Sequence, residues 1–168
     1  MENKNQLFST ETYSERRSLL KKTIIGSGVL LFLGNQESSI NFKDNWYPYR
    51  QDSTFLYYFG LNFPGLHALI DLDSGEEIIF GDDLTLDEIV WTGPQPTMTA
   101  MSAKVGIIYT RPLEKMKTYL SQREVHYLPV YRPEHIIFLT SLFDRSYVEV
   151  NLGYSVPFIK GVAAQRAV

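Results

Sequence analysis

Side chains able to do acid–base or metal chemistry are few and scattered in this chain. The three histidines are His67, His126 and His135, and no two of them share H-x-x-x-H or H-E-x-x-H spacing. Each falls in a segment patterned as strand or helix, where an imidazole satisfied by the fold is the ordinary outcome and a zinc ligand the exception. Carboxylates concentrate in "DLDSGEE" (71–77) and "GDDLTLDE" (81–88), which raises calcium as a ligand. The D-x-[DN]-x-[DN]-G spacing is missing, however, and Asp73-Ser74-Gly75 is common turn chemistry. With no cysteine, thiolate metal sites and disulfides are excluded. There is no G-x-S-x-G, no phosphate-binding loop and no dinucleotide fingerprint; Gly26-Ser27-Gly28 lacks the remaining glycines. Residue chemistry alone offers neither a nucleophile–base pair nor a metal cage.

What remains is a set of polar and aromatic residues outside the regular elements: Asp44, Trp46, Tyr47, Arg50, Asp52 and Trp91. Three polar residues, Arg50, Gln51 and Asp52, interrupt the aromatic stretch "YPYRQDSTFLYYFG" (47–60). Unpaired charges buried there would be costly. The simplest arrangement has Asp52 capping a helix "STFLYYF" while Arg50 pairs locally.

The elements that must hold these residues alternate. Thr12 and Glu15 form a plausible capping box for a helix near 12–23, with Tyr13, Leu19, Leu20 and Ile24 apolar and Arg16, Arg17, Lys21 and Lys22 on its solvated face. "GVLLFLG" reads as a strand covered on both faces. "LHALIDLDSGEEIIFGDD" predicts a protruding hairpin, strands near 66–72 and 76–80 turning through Asp73, Ser74 and Gly75. Thr85 and Glu88 cap a short helix at "TLDEIVW". A buried strand "KVGIIYT" follows, then a helix "RPLEKMKTYLSQR" with Leu113, Met116 and Leu120 at helical spacing. A strand "EVHYLPV" and a helix "RPEHIIFLTSLFD" complete the set. Strands alternating with helices plus one hairpin indicate an α/β fold: a mixed sheet of five or six strands between two helical layers.

Length and composition suit one domain with a real core. The net charge of −3 gives no reason to expect nucleic acid or an anionic membrane as partner. Paired arginines before an apolar stretch in "SERRSLLKKTIIGSGVLLFLG" loosely suggest an export signal. Glycines break that stretch and no A-x-A-like site follows, so the helix-then-strand reading is preferred and the cytoplasm is the expected location. No segment has the ~20 apolar residues of a membrane span. At the other end "PFIKGVAAQRAV" (157–168) starts like a helix and stops on an apolar residue, as a segment of a longer protein would.

The stretch "YPYRQDSTFLYYFG" resembles the signature of the amino-terminal domain of the aminopeptidase P, prolidase and creatinase family, close to Y-P-[FY]-R-Q-[DN]-S-x-F-x-Y-x-[TS]-G. It departs in having Phe59 where a small hydroxyl residue is usual. "SERRSLL" is similar to the family's opening helix, "GVLLFLGN" to its first strand, "EIVWTG" to a W-x-G element, and "FIKGVAAQRAV" to the helix entering the second domain. The resemblance implies a non-catalytic domain over 1–156 of the creatinase/prolidase amino-terminal type, and over 157–168 the start of a helix leading into a missing metallopeptidase domain. That second domain would hold two divalent metals, commonly manganese, on two Asp, one His and two Glu, and hydrolyse the bond preceding proline in an aminopeptidase or dipeptidase. None of those ligands lies here, so no cofactor is expected in this chain. The implied partners are its own carboxy-terminal domain, further copies in a homo-oligomer, and proline-containing peptides. Asp44 and Trp91 match family residues that reach a partner subunit's substrate pocket, and Arg50 matches a structural ion-pair position. A free-standing interaction module of the same fold, without peptidase activity, is the alternative.

Overall fold

The computed structural model describes residues 7–42 and 45–167. Helix α1 (Thr10–Thr23) leads into strand β1 (Val29–Leu33), helix α2 (Ser53–Phe59) and the hairpin β2 (His67–Asp71) and β3 (Glu77–Phe80). Helices α3 (Leu86–Thr92) and α4 (Met98–Ala103), strand β4 (Tyr109–Arg111), helix α5 (Met116–Leu120) and strand β5 (Val125–Tyr127) follow. Helices α6 (Pro133–Phe143), α7 (Tyr147–Leu152) and α8 (Val156–Arg166) close the described chain. The strands form one five-stranded sheet ordered β4-β3-β2-β1-β5. Pairs β1–β2 and β2–β3 are antiparallel, whereas β1–β5 and β3–β4 are parallel. This is the mixed α/β sheet expected.

Alternate side chains of β1 divide between two apolar layers, as strand geometry requires. Leu30 and Phe32 pack with Tyr13, Leu20, Phe55, Phe59, Met101 and Phe158, so α1, α2, α4 and α8 cover one face. Val29 and Leu31 pack with Met116, Leu120, Ile136, Leu139 and Val150, so α5, α6 and α7 cover the other. The hairpin does not protrude. β2 is the middle strand and β3 is flanked by β4, and the buried residues of "HALID" and "EIIF" are covered on both faces.

Four further local expectations are corrected. The cap of α1 is Ser9, whose side chain accepts from the Thr12 N–H, one turn earlier than the Thr12–Glu15 box. Arg17 is not on the solvated face but fully buried, while Leu19, assigned to the apolar face, is exposed. "KVGIIYT" is not a buried strand: Val105 and Ile107 are buried as loop residues, Ile108 is exposed, and pairing begins only at Tyr109. Helices α4 and α7 go unannounced in the reading above, although Thr97 caps the first and a Ser146–Glu149 capping box opens the second.

Candidate functional site

The polar block is built into the fold. Gln51 is buried and uses both ends of its amide. Its Oε1 accepts from the N–H groups of Asn35 at 2.6 Å and Asp52 at 3.0 Å, and its Nε2 donates to the carbonyls of Leu61 and Phe63. One side chain thereby ties the segment after β1 to both ends of α2. Asp52 caps α2, with Oδ1 accepting from Thr54 and Phe55 at 2.9 Å each. The expected local ion pair of Arg50 does not form among the described residues: its side chain stays exposed while its carbonyl accepts from Asn35 Nδ2. Phe55, Tyr58 and Phe59 after the block bury inward, and α2 ends at Gly60 with φ 62°, where any Cβ would run into the Tyr13 ring.

The histidines are also tied down. Gly34 N–H donates to His67 Nδ1 at 3.2 Å, and Gly34 O accepts from His135 Nε2 at 2.9 Å. His67 stacks on Phe138, and its burial, with His135 nearby, pushes its pKa down to about 3. Burial also lowers His135. His126 bridges Ser27 O and Ser155 Oγ. No three His, Cys, Asp or Glu side chains converge on a metal-sized site among the described residues.

The segment carrying Trp91 contrasts with all of this. A complete capping box, Thr85 with Glu88, fixes the start of α3, and both aspartates before it bind backbone. Asp83 accepts from Met98 N–H at 2.6 Å and Asp82 from Leu113 N–H at 3.1 Å. The base of the excursion is therefore pinned while the helix itself buries no residue. Leu86, Val90 and Trp91 are 82%, 79% and 88% exposed. Asp44 lies outside the described residues. Near it, an isolated bridge joins Ser39 to Trp46, and Trp46 and Tyr47 are exposed. No hydrogen bond, ion pair or ring contact joins Trp91 to this segment among the described residues. Leu86 and Val90 had no role in the sequence reading; apolar residues at helical spacing point to a core by default, and only the fold reveals that this pair faces outward.

The described residues form two helical layers on a mixed five-stranded sheet, with the exposed helix α3 held at its base by Asp82 and Asp83. The family model for the aminopeptidase P N-terminal domain matches residues 13–128, and the chain belongs to that family. A comparison with curated protein sequences finds no match. Among solved structures, aminopeptidase P from E. coli in a low-pH form superimposes with a TM-score of 0.69 at 20% identity, covering 82% of this chain and 33% of that one. Proline aminopeptidase P II from Yersinia pestis gives 0.67 at 20% identity with the same coverage. A zinc-substituted E. coli aminopeptidase P in complex with product gives 0.69 at 21% identity. The chain thus spans about a third of the length of these relatives, and at such identities the likeness establishes the fold. No helix among the described residues is long and apolar enough to cross a membrane.

Proposed function

We propose that this chain is the amino-terminal, non-catalytic part of a cytoplasmic, proline-specific metallopeptidase that hydrolyses the bond preceding proline. In this reading a carboxy-terminal domain holds two divalent metals, of which manganese is the leading candidate. This chain offers no converging donor set among its described residues, so it would contribute no metal ligand. Its work would be to build subunit contacts and to complete a neighbouring subunit's substrate pocket.

The observation that carries the reading is the outward helix α3. Burying an indole and two aliphatic side chains against a partner is favourable by about 1.5–3 kcal/mol for each large side chain fully covered. A monomer gains nothing from leaving them in water beside a rigid, doubly clamped base. Trp91 would supply flat apolar contact at low entropy cost. Asp44 would supply a carboxylate for a cationic group on the substrate or the partner.

The test pairs the full-length protein with this chain alone. The full-length protein should cleave Xaa-Pro peptides and assemble into an oligomer. The isolated chain should cleave none and show no tight manganese site by calorimetry. One or two tight manganese sites on the isolated chain would overturn the assignment. A full-length protein that cleaves no Xaa-Pro peptide but binds peptides would favour the interaction module.

A further inference from the structure

A cavity of about 120 Å³ opens where the parallel strands β1 and β5 end, between α2 and α6. Its walls include Leu33 and Val130, and its polar groups come from Asp52, Thr54, Tyr131 and His135. His135 is only 5% exposed. Its Nε2 donates to Gly34 O at 2.9 Å, which leaves Nδ1 as a lone-pair acceptor with no partner among the described residues. Asp52 Oδ1 is filled by two helix N–H groups, but Oδ2 takes only the Tyr131 hydroxyl at 2.8 Å. That hydroxyl has spent its proton and can still accept. Thus Nδ1 of His135, Oδ2 of Asp52 and Oη of Tyr131 each keep acceptor capacity, around one small cavity, with no donor assigned to it.

We propose that this cavity is a binding site for a compact aliphatic group of about five heavy atoms ending in a primary carboxamide, a size below the ~150 Å³ cavity known to hold benzene. The two N–H donors of the amide meet the free acceptors, and its short stem lies against Leu33 and Val130. An uncharged head is favoured over an ammonium because arginines already stand near the site: Arg166 donates to Thr54 Oγ1 at 3.2 Å, and the guanidinium groups of Arg50 and Arg132 act on Tyr131. Neither the family membership nor the proposed peptidase role assigns anything to this cavity, and the site is independent of both. The occupant could be a free amide or a glutamine side chain, which share this chemistry.

Titrating the full chain with propionamide, and following backbone amide resonances, tests the site. Signals of Thr54, Leu128 and Tyr131 should shift together, in the millimolar range expected of so few heavy atoms. Butanone, the same size without N–H donors, should bind several-fold more weakly. Acetyl-glutamine N-methylamide separates the two sources: tighter binding than propionamide supports a side chain as occupant, and equal or weaker binding supports a free amide. Val130→Trp should fill the cavity and abolish the shifts. Tyr131→Phe, at a position 69% exposed and therefore safe for folding, should weaken binding several-fold. Absence of these shifts with propionamide overturns the proposal. So does butanone binding as well as propionamide, or shifts that survive both substitutions.

Discussion

Arg17 and Trp91 each place a large, polar-tipped side chain on a helix, with opposite outcomes. The Arg17 guanidinium is fully buried, donating to Glu77 at 2.7 Å, Tyr58 O at 2.9 Å and Val105 O at 2.7 Å. Lys21 closes on the other Glu77 oxygen at 2.9 Å. It fastens α1 to α2, to β3 and to the loop before β4. Trp91, 88% exposed, fastens nothing among the described residues. A buried charge persists only where it is paired and hydrogen-bonded, so the first region is fixed by hydrogen bonds from each guanidinium nitrogen to groups inside the chain. The second is held at its base through Asp82 and Asp83, and its apolar surface is exposed, open to the partner proposed above. Substitutions should therefore separate the two regions by what they damage: stability in one, activity in the other.

The largest effect belongs to Arg17. Arg17→Ala leaves Glu77 with Lys21 as its remaining partner and strands two buried carbonyls, and should lower unfolding stability by about 3 kcal/mol, the lower end of the range for breaking one side of a buried pair. Urea denaturation measures it; a loss under about 1 kcal/mol would put Arg17 in the category of a surface ion pair.

Next comes acid sensitivity. Folded His67 has its pKa pushed down to about 3 from the ordinary 6.5, so below pH 6.5 the unfolded chain binds a proton that the folded chain refuses. Stability therefore rises with pH across this window and falls as pH drops through it. Between pH 6.5 and 5 the loss should be on the order of 2 kcal/mol at 1.36 kcal/mol per pH unit, with His135 adding in the same direction. Thermal unfolding of the native chain and of His67→Gln across this range checks it. The variant should lose much of the slope, and an unchanged slope would remove His67 from the account.

A smaller effect is expected at Asp52. Asp52→Ala removes the α2 cap and the Tyr131 contact, and the loss of a cap typically costs about 1 kcal/mol. A shifted denaturation midpoint with an unchanged slope would agree. No change would mean that Gln51 alone holds the start of α2.

The same contrast explains what could be read in advance. Local signals were sufficient wherever the structure is local. Thr85 and Glu88 announced α3 and its capping box, Asp73-Ser74-Gly75 announced the turn between β2 and β3, and the apolar run 29–33 announced a strand covered on both faces. The capping role of Asp52 was visible because its partners lie two and three residues away. Arg17 was misplaced because its answering groups, Glu77 and Val105, are remote in the sequence and nothing beside Arg17 marks it. "KVGIIYT" misled because three apolar residues near a glycine look alike as a strand and as a loop plugging a core. For the candidate site, the motif around Gln51 was legible as a family signature, yet its hydrogen-bonding role emerged only once Asn35, Leu61 and Phe63 were brought to it. The outward direction of Trp91 has no local signal at all, since exposure is a property of what the rest of the chain leaves uncovered.

The most direct test of the contact role is Trp91→Ala in the full-length protein, measured for both stability and Xaa-Pro peptide hydrolysis. At 88% exposure, the substitution should leave the unfolding midpoint of this domain within about 0.5 kcal/mol of the parent. It should lower kcat/KM by about 1–3 kcal/mol of transition-state binding, the worth of an apolar pocket contact, with metal content unchanged. Unfolding of the domain, or unaltered kinetics at unaltered stability, would contradict the account.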